Sequence, residues 1–388
     1  MPDPAPLRGL TVVDLSRVLA GPYCTMLLAD LGARVIKVER PGSGDDARGI
    51  GPFVAGRSAY FASLNRGKQS IALDLKQPAD RDVFERLLER ADVLVENYRP
   101  GTLERLGYDW ETLHQRFPRL VLASVSGFGQ TGPYRERPSY DLIAQAMGGI
   151  MSLTGLPGDP PVRVGTSVGD IAAGLFAALG IQSALLERQR SGLGRRVDVA
   201  MLDCQIAILE NAIARCAATG SAPEPLGSRH PSITPFDAFR TATRPIVIAA
   251  GNDRLFHQLC ACLGRPALAD DPDFSDNDRR SRNHEALKRA LEEVLCTRPA
   301  ERWLDELERA GIPCGPINDV AQALADPQVR ARNMVVRADD PVSGRLEMAG
   351  NPIKLSEVAD PETRRPAPEL DADREAILRE LTSGGPNS

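Results

Sequence analysis

Apolar and polar residues alternate along Leu10-Thr-Val-Val-Asp-Leu-Ser16, a period of two that predicts a strand. Gly21-Pro22 then starts a helix, because Pro fits the first helical position, where no backbone donor is needed. Gly32 ends that helix and Arg34–Glu39 forms the next strand. The pattern continues, with strand-like segments at 11–16, 34–39, 69–75, 92–96 and 120–125 and helical ones at 22–31, 79–91 and 103–107. Such alternation predicts the α/β class, a parallel sheet with helices on both faces. A long apolar helix is expected from about Val168 to Arg190.

Residues 219–235 are rich in Pro, Gly and Ser and read as a linker. Beyond them a strand at Pro245–Ala250 and helices near 253–263, 283–296 and 300–310 mark a second domain, which ends near Ile312-Pro313. The expected division is a first part over 1–218, the linker and a small α/β domain over 219–328, and a C-terminal return over 329–388. From residue 360 the tail is polar and Pro-rich, and its end is expected to fray.

The first strand–helix–strand unit lacks the Gly-x-Gly-x-x-Gly turn of dinucleotide binders. Its second strand runs into Arg40-Pro41, where an NAD site keeps an acid for the free ribose hydroxyls. A cation there suits a phosphorylated ribose, such as the 3′-phosphorylated one of coenzyme A; a solvated Arg at a strand end is the plainer alternative. Asp170, at the start of the long apolar helix, has a similarly plain role in capping free N–H groups. The neighbouring Gly169 and Gly174 favour a ligand beside the carboxylate, because small residues leave space.

At 388 residues the chain has room for two domains and a large core. Basic and acidic residues, 47 and 52, are well mixed at a net charge of −5, which disfavours a nucleic-acid partner. Seven cysteines and the lack of a signal peptide point to reduced thiols in a cytoplasmic protein. No apolar run is read as approaching the ~20 residues of a membrane span. Cys260 and Cys262 sit in an apolar helical pattern with no second Cys or His pair, so they read as core residues rather than metal ligands.

Seven stretches occur in a set order: Arg17-Val-Leu-Ala-Gly-Pro22, Leu31–Asp45, Leu64-Asn-Arg-Gly-Lys68, Val95-Glu-Asn-Tyr-Arg-Pro-Gly101, Ser126-Gly-Phe-Gly-Gln-Thr-Gly-Pro133, Gly165–Gly174 and Gly311-Ile-Pro-Cys-Gly-Pro316. With them the chain, from Leu7 to about Ile353, resembles the class III CoA-transferases. That family includes formyl-CoA transferase, the carnitine CoA-transferase and the acyl-CoA racemases. The resemblance implies a Rossmann-like large domain built from both chain ends, a smaller α/β domain between them, and two subunits interlocked as a homodimer. It also implies acyl-CoA and carboxylic acid substrates, with no cofactor beyond coenzyme A itself.

Carried over by this resemblance, Asp170 is the nucleophile, forming an aspartyl anhydride and then an aspartyl-CoA thioester. Arg40 matches the basic residue beside the adenosine, Asn97 and Tyr98 an Asn-aromatic pair along the nucleotide, and Arg105 an Arg that reaches the phosphates. Gly127–Gly132 and Gly251-Asn252 are candidate oxyanion donors. Tyr140-Asp141 stands where the racemases carry His-Asp. A phenol, with a pKa near ~10, is a poor base at neutral pH, so a transferase is expected; Tyr140 as a packed aromatic is the alternative. Leu19 replaces a Gln of the formyl-CoA enzyme, Pro138 replaces a Lys for which the adjacent Arg137 is the candidate substitute, and that enzyme's glycine-rich flap has no counterpart before Phe236. These departures argue against oxalate and formyl-CoA.

Arg229–Phe239, Ala249–Asp253, Gly42–Asp46 and Tyr98–Gly101 resemble the succinyl-CoA:glutarate (hydroxymethylglutarate) branch more closely. A dicarboxylate keeps one carboxylate unreacted, which needs a cationic or multi-donor partner. Arg48, Arg66, His230 and Asn252 are the candidates. The expected reaction moves CoA from succinyl-CoA to a C4–C6 dicarboxylate such as glutarate, itaconate or mesaconate. Transfer to carnitine or another monocarboxylate, 2-methylacyl-CoA racemisation and a noncatalytic CoA-ester-binding role are the alternatives.

Overall fold

A computed structural model describes residues 5–383. Two compact units emerge. The first is built from the segments Met1–Met151, Arg163–Ala222 and Pro327–Ser388 within the described range, the second from Ser152–Val162 and Pro223–Asp326. The boundaries drawn at 218 and 329 therefore move by a few residues, and 152–162 leaves the first unit, which sequence composition alone does not signal. The expected fraying of the chain's end concerns residues 384–388, outside the described range.

The first unit is organised by six strands: β1 (Thr11–Asp14), β2 (Arg34–Glu39), β3 (Gln69–Ala72), β4 (Val93–Glu96), β5 (Val121–Ser126) and β6 (Arg196–Ala200). They form one parallel sheet in the order β3-β2-β1-β4-β5-β6. Because the side-chain period is two, successive residues feed opposite faces. Val12, Val35, Val93, Val121 and Ala123 enter one core, while Val13, Ile36, Leu94 and Leu122 enter the other. A sheet covered on both sides needs near-continuous apolar strands, which β4 and β5 supply.

Four helices position the site: α1 (Ala20–Asp30), α2 (Pro78–Arg90), α3 (Asp141–Met147) and α4 (Val168–Ser191). Ala20, Cys24, Leu27 and Leu28 of α1 share one core with Ala172, Ala173, Ala177 and Ile181 of α4. The other core takes Val83, Phe84, Leu87 and Leu88 of α2, with Ile377 and Leu381 of the C-terminal helix Arg374–Thr382. That returning segment also closes the sheet edge. Asp373 and Asp371 accept the Ser70 and Ala72 N–H groups at 2.9 and 2.7 Å, so β3 presents fewer unpaired groups.

Helix α4 corrects two expectations. At 24 residues it is long and apolar enough to cross a membrane by length and composition, yet half of its most apolar window is buried in the first unit. It is a core helix there. Gly174 does not make room for a ligand: a Cβ on it would lie 2.8 Å from the Ala20 carbonyl oxygen and 3.0 Å from the Tyr23 ring. Its missing side chain lets α4 pack closely on α1.

The second unit carries a three-stranded antiparallel sheet, Cys314–Pro316, Ile246–Ala249 and Phe236–Phe239. Helices Asp253–Cys262, His284–Leu295 and Ala300–Arg309 enclose a core that includes Phe239, Ile248, Phe256, Leu291 and Trp303. Cys260 is buried in that core and Cys262 packs against it.

Candidate active site

The strand order reverses its direction between β1 and β4, and in open α/β sheets ligands bind outside the carboxyl ends of strands at such a point. Two clefts open there. One, of about 180 Å³, is lined by Arg17, Tyr98, Gly127, Arg137, Tyr140 and Asp170 among others. The other, of about 490 Å³, is lined by Arg40, Ser43, Lys76 and Thr102, and again by Arg17 and Tyr98.

The loop after β1 is fixed by side chains rather than by secondary structure. Lys37 donates to the Ser16 carbonyl at 2.7 Å and pairs with Asp45 at 2.8 Å. The Asn97 amide accepts the Arg17 N–H at 2.8 Å and donates to the Arg17 carbonyl at 2.7 Å. Asp45 accepts the Val18 N–H at 3.0 Å. Val18 is held at φ +65°, a left-handed conformation that a β-branched residue rarely adopts. Asn97, expected along the nucleotide, thus has one donor and one acceptor committed to the main chain of Arg17. The loop also corrects the reading of Leu19, which is buried, while its neighbours Val18 and Ala20 form the wall of the smaller cleft.

β2 ends in Glu39, where dinucleotide-binding sheets place their ribose-reading acid. Here that carboxylate is occupied. It accepts the Asp45 N–H at 3.0 Å, the Ser70 hydroxyl at 2.6 Å and two Arg48 donors at 2.8 and 2.7 Å. Arg40, the next residue, is exposed at the larger cleft and pairs with Asp46, which also holds Arg17 at 2.9 Å. Arg105 donates to the Thr102 hydroxyl at 2.9 Å; Thr102 and Leu106, not Arg105, line the larger cleft.

Asp170 is the third residue of α4 and is half-buried. Its carboxylate has no hydrogen-bond or ion-pair partner among the described residues, and Ser167 at the cap position makes no side-chain bond. The cap comes instead from Asp141, which accepts the Gly169 N–H at 2.9 Å. A Cβ on Gly169 would lie 3.0 Å from that carboxylate oxygen, so this glycine too serves close packing. Burial, with a further contribution from the Asp141 charge, pushes the Asp170 carboxyl up to about 7. Perturbation of this kind is concentrated at reactive carboxyls.

Tyr140 is 77% exposed and lines the smaller cleft, so it is not a packed aromatic. Arg137 lies over the Tyr134 ring, 3.8 Å from its centre. Two of the cations proposed for a free carboxylate are already spent. Arg48 is held by Glu39, and Arg66, buried, is held by Asp30 at 2.6 Å. In the second unit, the His230 ring packs on Phe236 and its Nδ1 accepts the Ser232 N–H, while Asn252 caps a helix through the Leu255 N–H at 2.9 Å. Gly127 lines the smaller cleft, and a Cβ there would lie 2.2 Å from the Ser139 Cβ.

Tyr60 and the capping role of Asp141 are not apparent from sequence. Tyr60 is half-buried, and its phenol is pushed up to about 12 by burial and then by the charges of Asp170, Asp45 and Asp141. Only the fold brings those acids together.

The model of CoA-transferase family III matches residues 7–374. The chain belongs to that family. It is therefore a class III CoA-transferase, an enzyme with a mixed α/β fold. It is 49% identical to the acetyl-CoA:oxalate CoA-transferase of Acetobacter aceti, over 97% of this chain and 96% of that one. It is 42% identical to the succinyl-CoA:mesaconate CoA-transferase of Haloarcula hispanica, over 97% of each. The human succinyl-CoA:glutarate CoA-transferase is 38% identical, over 97% of this chain and 86% of the relative. Among solved structures, a CAIB/BAIF family protein from Brucella suis superposes with a TM-score of 0.85 at 41% identity, covering 97% of this chain and 99% of that one.

Proposed function

We propose that this CoA-transferase moves CoA from succinyl-CoA or a similar donor to a short dicarboxylic acid, with Asp170 as its nucleophile. The observation that carries the reading is the unpartnered, half-buried Asp170 carboxylate in a cleft that shares Arg17 and Tyr98 with a second, larger one. The larger cleft takes the nucleotide of CoA, with Arg40 at its phosphorylated ribose, and the smaller one takes the acyl group.

An Asp170 oxygen attacks the thioester carbonyl, the C–S bond breaks, and CoA leaves as thiolate from a mixed anhydride. The thiolate attacks the aspartyl carbonyl and releases the first acid, leaving an aspartyl-CoA thioester. The acceptor carboxylate then attacks that thioester, and the same steps run in reverse. Burial removes water from the carboxylate, which sharpens its reactivity and protects the anhydride from hydrolysis. The acyl group and CoA are each carried by Asp170 in turn, so the chemistry needs no cofactor beyond coenzyme A.

Three relatives act on dicarboxylates by name, and oxalate is among their substrates. Oxalate therefore returns to the set of acceptors: Leu19, whose identity argued against it, is not part of the cleft wall. A homodimer fits the exposed apolar residues of α4, with Leu175, Leu179 and Leu186 at 49%, 60% and 62% exposure.

Incubation with succinyl-CoA or acetyl-CoA and a panel of acids (oxalate, glutarate, itaconate, mesaconate, carnitine and butyrate), followed by mass spectrometry of the CoA esters, tests the reading. Transfer to one or more of the dicarboxylates supports it. Transfer to monocarboxylates alone, or to none of the acids, overturns it.

A further inference from the structure

We propose that Arg17 reads the free carboxylate of the dicarboxylic substrate and is the specificity-determining residue of the Asp170 cleft. The inference rests on the dicarboxylate reading above and assigns the group that enforces it.

A dicarboxylate that reacts through one end needs a fixed cation for the other, within the same cleft as Asp170. Arg48 and Arg66 do not qualify, because Glu39 and Asp30 each take two of their guanidinium donors. Among the cations that line the cleft, Arg99 and Arg137 are exposed, and Arg137 rests on Tyr134. Arg17 differs from both in how it is held.

Four consecutive backbone groups around Arg17 are secured by side chains. The Ser16 carbonyl accepts from Lys37, the Arg17 N–H and carbonyl pair with Asn97, and the Val18 N–H donates to Asp45. Lys37 and Asp45 are buried and paired with each other. This brace holds Val18 in its left-handed conformation, a cost that is retained only where the surroundings over-determine the backbone. What the brace fixes is the base of the Arg17 side chain. A recognition group fixed before binding loses less freedom when the ligand arrives.

The guanidinium is held too. It lies over the Tyr98 ring, 5.3 Å from the centre, and Nη1 donates to the Asp46 carboxylate at 2.9 Å. A carboxylate therefore already sits on one edge of this fork. The other donors hold no protein acceptor among the described residues, and Nε is buried without one. Asp46 is also paired with Arg40, so engagement of Arg17 by a substrate does not leave Asp46 without a cation. A planar fork with free donors suits a second carboxylate.

The phosphates of CoA offer similar chemistry, and Arg17 borders the larger cleft as well. Acceptor kinetics separate the two sources. In a double-displacement reaction, kcat/KM for the acceptor reports only the acceptor half, so one donor can serve throughout. The wild type and Arg17→Met are compared with the dicarboxylate that the wild type uses best and with the monocarboxylate of equal chain length. The expected result is a loss for the dicarboxylate roughly 10- to 100-fold larger than that for the monocarboxylate, with partial recovery of the ratio in Arg17→Lys. Equal losses for both acids with a raised KM for acyl-CoA would assign Arg17 to the phosphates and overturn the proposal, as would an unchanged ratio. If Arg17→Met fails to fold, as judged by its circular dichroism melt, the ratio in Arg17→Lys decides alone. A wild type that uses only monocarboxylates would remove the dicarboxylate reading itself, before any variant is measured.

Discussion

The carboxylate of Asp141 accepts the Gly169 N–H at 2.9 Å, one residue before Asp170. Its other oxygen accepts from Gln145 at 2.8 Å, and Gln145 in turn accepts the Val164 N–H at 2.9 Å. Asp141 and Gln145, both buried on α3, therefore pin the segment that leads into α4. The start of α4 is thus capped by an acid 28 residues away in sequence, and Asp170 is relieved of that duty. Two carboxylates that feel each other's charge are thus set apart: Asp141 holds the helix start, and Asp170 is left without a partner among the described residues.

The pH dependence of the reaction follows from this division. Asp170 must be ionised to attack, and its carboxyl is raised to about 7. Activity should therefore fall as pH drops through 7, approaching a tenfold loss per unit well below it. Asp141→Asn removes the second cause of the elevation and leaves the first, burial. The acid limb of kcat/KM should move to lower pH by less than the whole rise. A limb that does not move in this variant would show that the Asp141 charge has no part in it.

Replacement of Asp170 by Asn should lower CoA exchange by at least about 1000-fold while CoA affinity is largely kept, since the amide is isosteric but not nucleophilic. Wild-type enzyme given donor alone should be trapped by hydroxylamine at Asp170, as seen by peptide mass spectrometry. Stability gives an independent check. A folded-state pKa raised above the unfolded one contributes stability below about pH 4, and that contribution is lost as pH rises through 7. Asp170→Asn should thus melt higher than wild type at pH 8, and the gap should close toward pH 4. Retained exchange, with deamidation excluded, would remove Asp170 from the mechanism.

Short runs that are apolar at nearly every position made most of the parallel sheet legible, because a strand covered on both faces has little room for polar residues. β6, at the sheet edge, instead alternates as Arg196-Val-Asp-Val-Ala200, and its charged residues hid it. The place of Asp170 at the start of α4 could be read from its motif. Arg48, Arg66 and Asn97 could not be assigned in the same way. A free guanidinium and one saturated by Glu39 or Asp30 look alike in sequence, and only tertiary pairing separates them. The glycines misled for a related reason. A missing side chain can admit a ligand or a neighbouring helix, and at Gly174 the neighbour is α1.

Arg40→Ala should weaken CoA binding more than dephospho-CoA binding, because only CoA carries the 3′-phosphate. A charge-assisted contact of this kind contributes about 1.5–3 kcal/mol. Arg40 already binds the Asp46 carboxylate, so the measured difference is expected at the lower end of that range. Isothermal titration with both ligands gives the comparison, and equal losses would mean that Arg40 does not read this phosphate.

The buried Lys37–Asp45 pair should be a weak point of the fold. Asp45→Asn keeps an acceptor for the Val18 N–H but leaves Lys37, fully buried, without its nearest anion. Breaking one side of such a pair costs about 3–5 kcal/mol. Urea unfolding should show a loss of that order, with Asp14 and Glu39 moderating it through their own attraction to Lys37. An unchanged midpoint would mean that the pair does not brace the loop beneath Arg17.

Tyr140 distinguishes transfer from racemisation. Exchange of the α-proton of a 2-methylacyl-CoA needs a base able to accept a proton near neutral pH, with a second group on the opposite face. Asp170 can serve one face. The other would fall to Tyr140, whose side chain lines the same cleft but is largely exposed. A phenol is a poor general base for carbon acids and accepts protons poorly there. Arg137, which also lines the cleft, is stacked on Tyr134. Incubation with 2-methylacyl-CoA in D₂O should therefore give no deuterium at C2, whereas CoA exchange between free acids proceeds in the same buffer. Deuterium uptake with inversion would show that the cleft supports proton abstraction and would overturn transfer as its sole chemistry.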